Sequence, residues 1–141
     1  MPISLLPMSI KDFLGMIALW KSLPGIGLSG ADEREKLAKF IEKNARTCFV
    51  LKTEGRVMGT ILGGNDGRRG YIYHLAVEPK YQKYGYGKIL VDAILENFKL
   101  DGIQKSHIFV ISDNREGIDF WQHIGWTLRD DVLIMSKDLS S

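Results

Sequence analysis

A chain of 141 residues, 45% hydrophobic and 26% charged, has the balance of one globular domain, 1–141, built round a single core. Nineteen Lys and Arg against seventeen Asp and Glu leave a net charge of +2, which argues against a dedicated nucleic-acid binder. A lone cysteine rules out an intrachain disulfide framework. With no basic leader and no run of about 18 apolar residues, the expected setting is a reducing cytoplasm rather than a membrane or a secretory route.

Ile3 to Pro7 reads as a short first strand, and Ser9 is placed to cap a helix carrying Phe13, Met16, Ile17 and Trp20 on one face before Pro24-Gly25 ends it. A second helix is expected near Asp32 to Lys43, with Leu37, Ala38, Phe40 and Ile41 as its apolar stripe. Thr47 to Thr53 and Arg56 to Leu62 form a hairpin about Glu54-Gly55, and Gly63 to Gly67 reads as a second turn before a strand from Gly70 to Val77. A long amphipathic helix then presents Ile89, Leu90, Ala93, Ile94 and Phe98 to a sheet. Ile108 to Ile111 is a further short strand, and Asn114 starts a helix over Arg115 to Ile124. Trp126 to Arg129 and Val132 to Lys137 close the chain as a strand pair across Asp130-Asp131.

The stretch Val77-Glu78-Pro79-Lys80-Tyr81-Gln82-Lys83-Tyr84-Gly85-Tyr86-Gly87-Lys88 carries the chemistry. A strand stops at a proline, and a glycine-spaced loop opens directly into a helix. The first N–H groups of a helix have no intrahelical partner and sit at the positive end of its macrodipole, so an anion can accept several hydrogen bonds there. Gly85 and Gly87 let a pyrophosphate approach the main chain, with Lys80, Lys83 and Lys88 supplying positive charge. The same glycines also suit a plain tight turn. G-x-x-x-x-G-K-[ST] is absent, and the G-x-G lacks the third glycine of the dinucleotide fingerprint.

Gln82-Lys83-Tyr84-Gly85-Tyr86-Gly87 resembles the Q/R-x-x-G-x-G/A acetyl-CoA motif of the GNAT superfamily of N-acetyltransferases, of the kind that acetylates ribosomal-protein alanine. Tyr71 to Pro79 is similar to that family's fourth strand, and Asn114 to Trp126 to its N-x-x-x-x-x-F-[YW]-x-x-x-G-[FW] segment. The resemblance implies a mixed α/β (α+β) fold: a splayed central mixed sheet of about six to seven strands flanked by about four helices. It implies acetyl-CoA as cosubstrate and a primary amine of a protein, peptide or small molecule as acceptor; His74, His107 and His123 have no cysteine or carboxylate partners at ligand spacing, so no metal is expected, and charge balance and short apolar runs speak against a nucleic-acid or membrane partner. On the same grounds Leu75, Ala76 and Val77 would contact the pantetheine arm, Gln82 through Lys88 (with Lys83, Tyr84, Gly85, Tyr86 and Gly87 between) the pyrophosphate, and Asn114 the arm from the other side. The alternative is an acyl-CoA sensor or interaction module on the same fold.

Direct transfer needs a neutral amine, a polarised carbonyl and a proton for the departing thiolate. The family's usual tyrosine, four residues before the glycine of the G-[FW] pair, is here Trp121, whose Nε1–H donates but releases no proton. Strand alternation puts Tyr71, Tyr73, Leu75 and Val77 on one face and Ile72, His74 and Ala76 on the other. Tyr71 and Tyr73 occupy the family's usual phase for a base and are cast as anchors of a water relay. His74 has the better ordinary pKa but the opposite phase. Trp20, Asp66 and Arg69 are the acceptor-side candidates, and Cys48 reads as a buried thiol. The apolar run Val132 to Met135 leaves a homodimer open.

Overall fold

The computed structural model describes residues 2–140. These form two compact units that divide between Ile111 and Ser112. The first holds five strands, β1 (Ile3–Pro7), β2 (Cys48–Thr53), β3 (Arg56–Asn65), β4 (Gly70–Val77) and β5 (Ser106–Ile108), with helices α1 (Phe13–Lys21), α2 (Arg34–Lys43) and α3 (Tyr86–Leu100). The second holds α4 (Arg115–His123).

The strands lie in sequence order, antiparallel from β1 through β4, with β5 parallel to β4. Glu54 and Gly55 both have positive φ, 53° and 74°, which matches the right-handed twist of the β2–β3 hairpin they connect. Met16, Leu19 and Trp20 of α1 and Leu37 and Ile41 of α2 cover one sheet face together with Cys48, Val50, Leu62 and Ala76. On the other face Leu90, Val91, Ile94 and Phe98 of α3 are buried.

Gly63 and Gly64 belong to β3 rather than to the expected turn. A Cβ at Gly63 would collide with Ile94, and one at Gly64 would lie 2.7 Å from Asn44 Oδ1, so these glycines admit a helix on either side of the strand. The turn itself is 66–69, where Asp66 Oδ1 accepts from the N–H groups of Arg68 and Arg69 at 2.8 Å each.

The sheet has five strands among the described residues, fewer than six or seven. The expected strand over 108–111 ends at Ile108, and the final pair over 126–129 and 132–137 has no ladder. Asp130-Asp131 offers no glycine for a tight hairpin, and Arg129 instead grips Asp131 at 2.8 and 2.9 Å. Leu133 and Met135 are accordingly exposed.

Candidate active site

The middle of β4 departs from regular alternation. Thr60 pairs with Ala76 and Leu62 with Tyr73, so three steps on β4 oppose two on β3, and a bulge sits at His74 and Leu75. His74 has φ of +45°, a left-handed conformation that costs a non-glycine residue about 1–3 kcal/mol and persists only where its surroundings hold it. They do so by a buried polar chain. Trp20 Nε1–H donates to Thr60 Oγ1 at 2.8 Å, and the Thr60 hydroxyl donates to the His74 carbonyl at 2.9 Å. Both Trp20 and Thr60 are fully buried.

The bulge corrects the alternation read from sequence. Tyr73 meets Phe40 of α2 edge-on at 6.0 Å, while the His74 ring lies 4.7 Å from that of Trp20 in α1, so both face the α1–α2 side. His74 Nε2 is 2.7 Å from Asp32 Oδ1, and Asp32 Oδ2 accepts the Ser29 N–H at 3.0 Å in a capping box. Asp32 therefore ties the α1–α2 link to the bulge. Burial, then the neighbouring Tyr71, push the Tyr73 phenol above its ordinary pKa, so it stays protonated near neutrality and keeps an O–H to donate. Tyr71 stacks at 6.2 Å on Phe109.

β4 pairs with β5 only through Gly70–Ser106, Tyr71–His107 and Ile72–Ile108. From Tyr73 to Val77 it runs on without β5 beside it, which leaves main-chain groups of 73–77 along that edge. Beyond Val77 the chain makes the short 3-10 turn Pro79–Tyr81 and enters the glycine loop. Lys83 and Gly85 take φ of +70° and +86°, and Gly85 is the N-cap of α3 with no side-chain cap. The first bond into the helix runs from Ile89 N–H to the Gly85 carbonyl, so the N–H groups of Tyr86, Gly87 and Lys88 precede the ladder. A helix start of this kind has backbone donors free to meet an anion.

Several side chains serve the loop itself. Gln82 Nε2 donates to the Val77 carbonyl at 2.9 Å, lashing the loop to the end of β4. Lys88 is paired with Asp92 at 2.7 Å and Lys80 with Glu78 at 3.8 Å, so their positive charge is shared with acids on the same segments. Leu75 is half-buried, Ala76 and Val77 are buried, and Tyr84 is exposed. In the second unit Asn114 Oδ1 accepts the Gly117 N–H at 3.0 Å as the cap of α4, and Trp121 is buried against Phe120 and Trp126.

Three acceptor-side candidates are accounted for by structure. Trp20 is sealed in the core, Asp66 closes a turn, and the Arg69 guanidinium reaches the Arg68 carbonyl at 3.0 Å. Backbone N–H donors hold the Asp66 carboxyl below its usual pKa. Cys48 is buried beneath the Gly63 carbonyl, and burial pushes its thiol up to about 11, so it is no nucleophile. Among the described residues no group of three or more His, Cys, Asp or Glu is placed to hold a metal ion, and no helix is long and apolar enough to cross a membrane.

A mixed sheet whose fourth strand loses its parallel neighbour and turns through glycine into an uncapped helix defines the fold of the acyl-CoA N-acyltransferases. Residues 15–126 match the Acetyltransferase (GNAT) family, and the chain belongs to that family. An acetyltransferase of Sodalis glossinidius is 27% identical over 128 residues, covering 91% of this chain and 89% of the relative. The fold is similar to that of Ard1 from Thermoplasma volcanium, with TM-score 0.79, 21% identity, and 92% and 85% of the two chains covered. It is similar also to the PaiA N-acetyltransferase from Thermoplasma acidophilum, solved in complex with coenzyme A, with TM-score 0.77, 18% identity and 92% of each chain covered. The chain is thus an acetyltransferase of the GNAT type.

Proposed function

We propose that this protein, read as one domain over 1–141, is a cytoplasmic N-acetyltransferase that moves an acetyl group from acetyl-CoA directly to a primary amine of a protein, a peptide or a small molecule. The observation that carries the reading is the uncapped start of α3 behind left-handed Gly85, at the end of a strand that has lost its neighbour. The N–H groups of Tyr86, Gly87 and Lys88 bind the pyrophosphate, and the edge of β4 from Tyr73 to Val77 pairs with the amides of the pantetheine arm. Gln82 holds these two parts in register through the Val77 carbonyl.

Acetyl-CoA supplies the activated acyl group, so nothing covalent is needed on the protein. Tyr73, kept protonated, and Tyr71 beside it donate hydrogen bonds on the acceptor side. Trp121, where a tyrosine usually stands, steadies the α4 aromatic cluster and delivers no proton. That residue is the specific observation favouring the second reading, an acyl-CoA sensor without turnover. Release of free CoA thiol from acetyl-CoA, dependent on an added amine, tests the two against each other. Amine-dependent release supports the transferase; tight binding with no release across alkylamines, aminoglycosides and N-terminal peptides supports the sensor.

A further inference from the structure

We propose that His74, oriented by Asp32, is the proton acceptor for the incoming amine, an inference that rests on the N-acetyltransferase reading. Three independent features converge on this residue. The first is position. The free edge of β4 from Val77 back to Tyr73 is four residue steps, roughly 13 Å at about 3.3 Å per residue. An extended pantetheine arm, with its two amide units, is of similar length, so a pyrophosphate at Gly85 to Lys88 leaves the thioester beside Tyr73 and His74.

The second feature is the bulge. It turns His74 onto the α1–α2 face at the cost of a left-handed backbone, and Trp20 and Thr60 are both committed to holding its carbonyl. A strained histidine fixed by two buried side chains is an expensive way to fill a strand position. The third is the ring itself. Nε2 lies 2.7 Å from Asp32 Oδ1, and because a carboxylate only accepts, Nε2–H is the donor and Nδ1 is the accepting nitrogen of the neutral imidazole. Asp32 is in turn held by the Ser29 N–H through its other oxygen.

In the step so defined, the ammonium form of the acceptor gives one proton to His74 Nδ1. The freed amine lone pair attacks the thioester carbonyl, the C–N bond forms and the C–S bond breaks. The thiolate leaves with the bonding pair and takes the second nitrogen proton, and the imidazolium, stabilised by the Asp32 carboxylate, discharges its proton to solvent. The charge facing His74 is that of Asp32 from the 29–32 turn; Trp20 from α1 and Thr60 from β3 are uncharged, and Tyr73 stays protonated. Protonating His74 removes the base, so the rate falls as pH falls.

The test is the pH profile of kcat/KM for thiol release from acetyl-CoA with butylamine and with an alanine-initiated peptide, in wild type, His74→Gln, His74→Ala and Asp32→Asn. Expected are a one-proton acid limb in wild type, its loss in His74→Gln with a fall of about a hundredfold or more, and partial rescue of His74→Ala by added imidazole. Asp32→Asn, which takes away the carboxylate that orients the ring, lowers kcat/KM by about tenfold or more while leaving acetyl-CoA affinity in place. Acetyl-CoA affinity by calorimetry stays within about threefold in all four, which also reports that the variants fold. A His74→Gln enzyme that keeps both the limb and its rate overturns the proposal. If wild type binds no acetyl-CoA, the transferase reading fails first. A readout free of any acceptor is long-range 1H–15N NMR of the wild-type imidazole: Nε2 protonated with Nδ1 bare is expected, and the opposite tautomer overturns the proposal.

Discussion

Replacing Gly85 by glutamine and, separately, by glutamate isolates the electrostatics of the phosphate cradle. A Cβ at Gly85 meets nothing within 4 Å, so neither variant clashes. Both pay the same strain at φ +86°, about 1–2 kcal/mol, and carry nearly equal bulk. They differ in one negative charge at the N-cap of α3. A carboxylate about 4 Å from a phosphate charge is unfavourable by about 1 kcal/mol at the dielectric of water and about 4 kcal/mol at the effective value near a protein surface. Coenzyme A should therefore bind the glutamate variant between about fivefold and a thousandfold more weakly than the glutamine variant, and the gap should narrow as salt is raised. Urea unfolding should find the two equally stable within about 1 kcal/mol. Calorimetry at two ionic strengths reads the difference directly, and equal coenzyme A affinity in the two variants would refute a pyrophosphate at this helix start.

Thr60→Val breaks both links of the chain from Trp20 to the His74 carbonyl, the first of them fully buried, and should cost about 2–4 kcal/mol of stability by urea unfolding. Gly70→Ala places a Cβ 2.6 Å from the buried Phe98 ring, and the overpacking should cost about 1–3 kcal/mol in the same assay. The Cys48 thiol, pushed from 9.0 to about 11, ionises more readily once unfolded. Its contribution is full below pH 9 and is lost as pH rises through about 11, amounting to up to about 3 kcal/mol. Unfolding midpoints of wild type and Cys48→Ser should diverge less above pH 9 than below it. A thiol reagent at pH 8 should label the native protein only as fast as it opens.

The elements that sequence showed clearly were those with strong local grammar. Ser9 caps the turn leading into α1, Glu54-Gly55 makes the hairpin, and the loop before Tyr86 opens α3 with Gly85 left-handed, all as their residue types dictate. What escaped was set by tertiary contact. Alternation along β4 assumes one residue per step, and the extra residue at His74 moved that histidine onto the face of Tyr73. Nothing local to Tyr71 through Val77 announces a bulge, because the groups that hold it, Thr60 and Trp20, lie far away in sequence. Asp32 read as the start of the second helix, and only the fold brings it to His74. Gly63 and Gly64 looked like turn residues because glycine also serves close approach, and the helices that need the space are distant along the chain. The apolar residues of 132–135 carried a strand pattern, but a strand exists only where a partner accepts its ladder.

Titration calorimetry of the purified protein with acetyl-CoA, paired with pantetheine lacking the nucleotide diphosphate, bears most directly on acyl-CoA use. Saturable binding of acetyl-CoA at one site per chain, much weaker for pantetheine and weakened by Gly85→Glu, is the predicted result. Absence of acetyl-CoA binding, or equal affinity for pantetheine, would contradict the assignment of the α3 start as a pyrophosphate site.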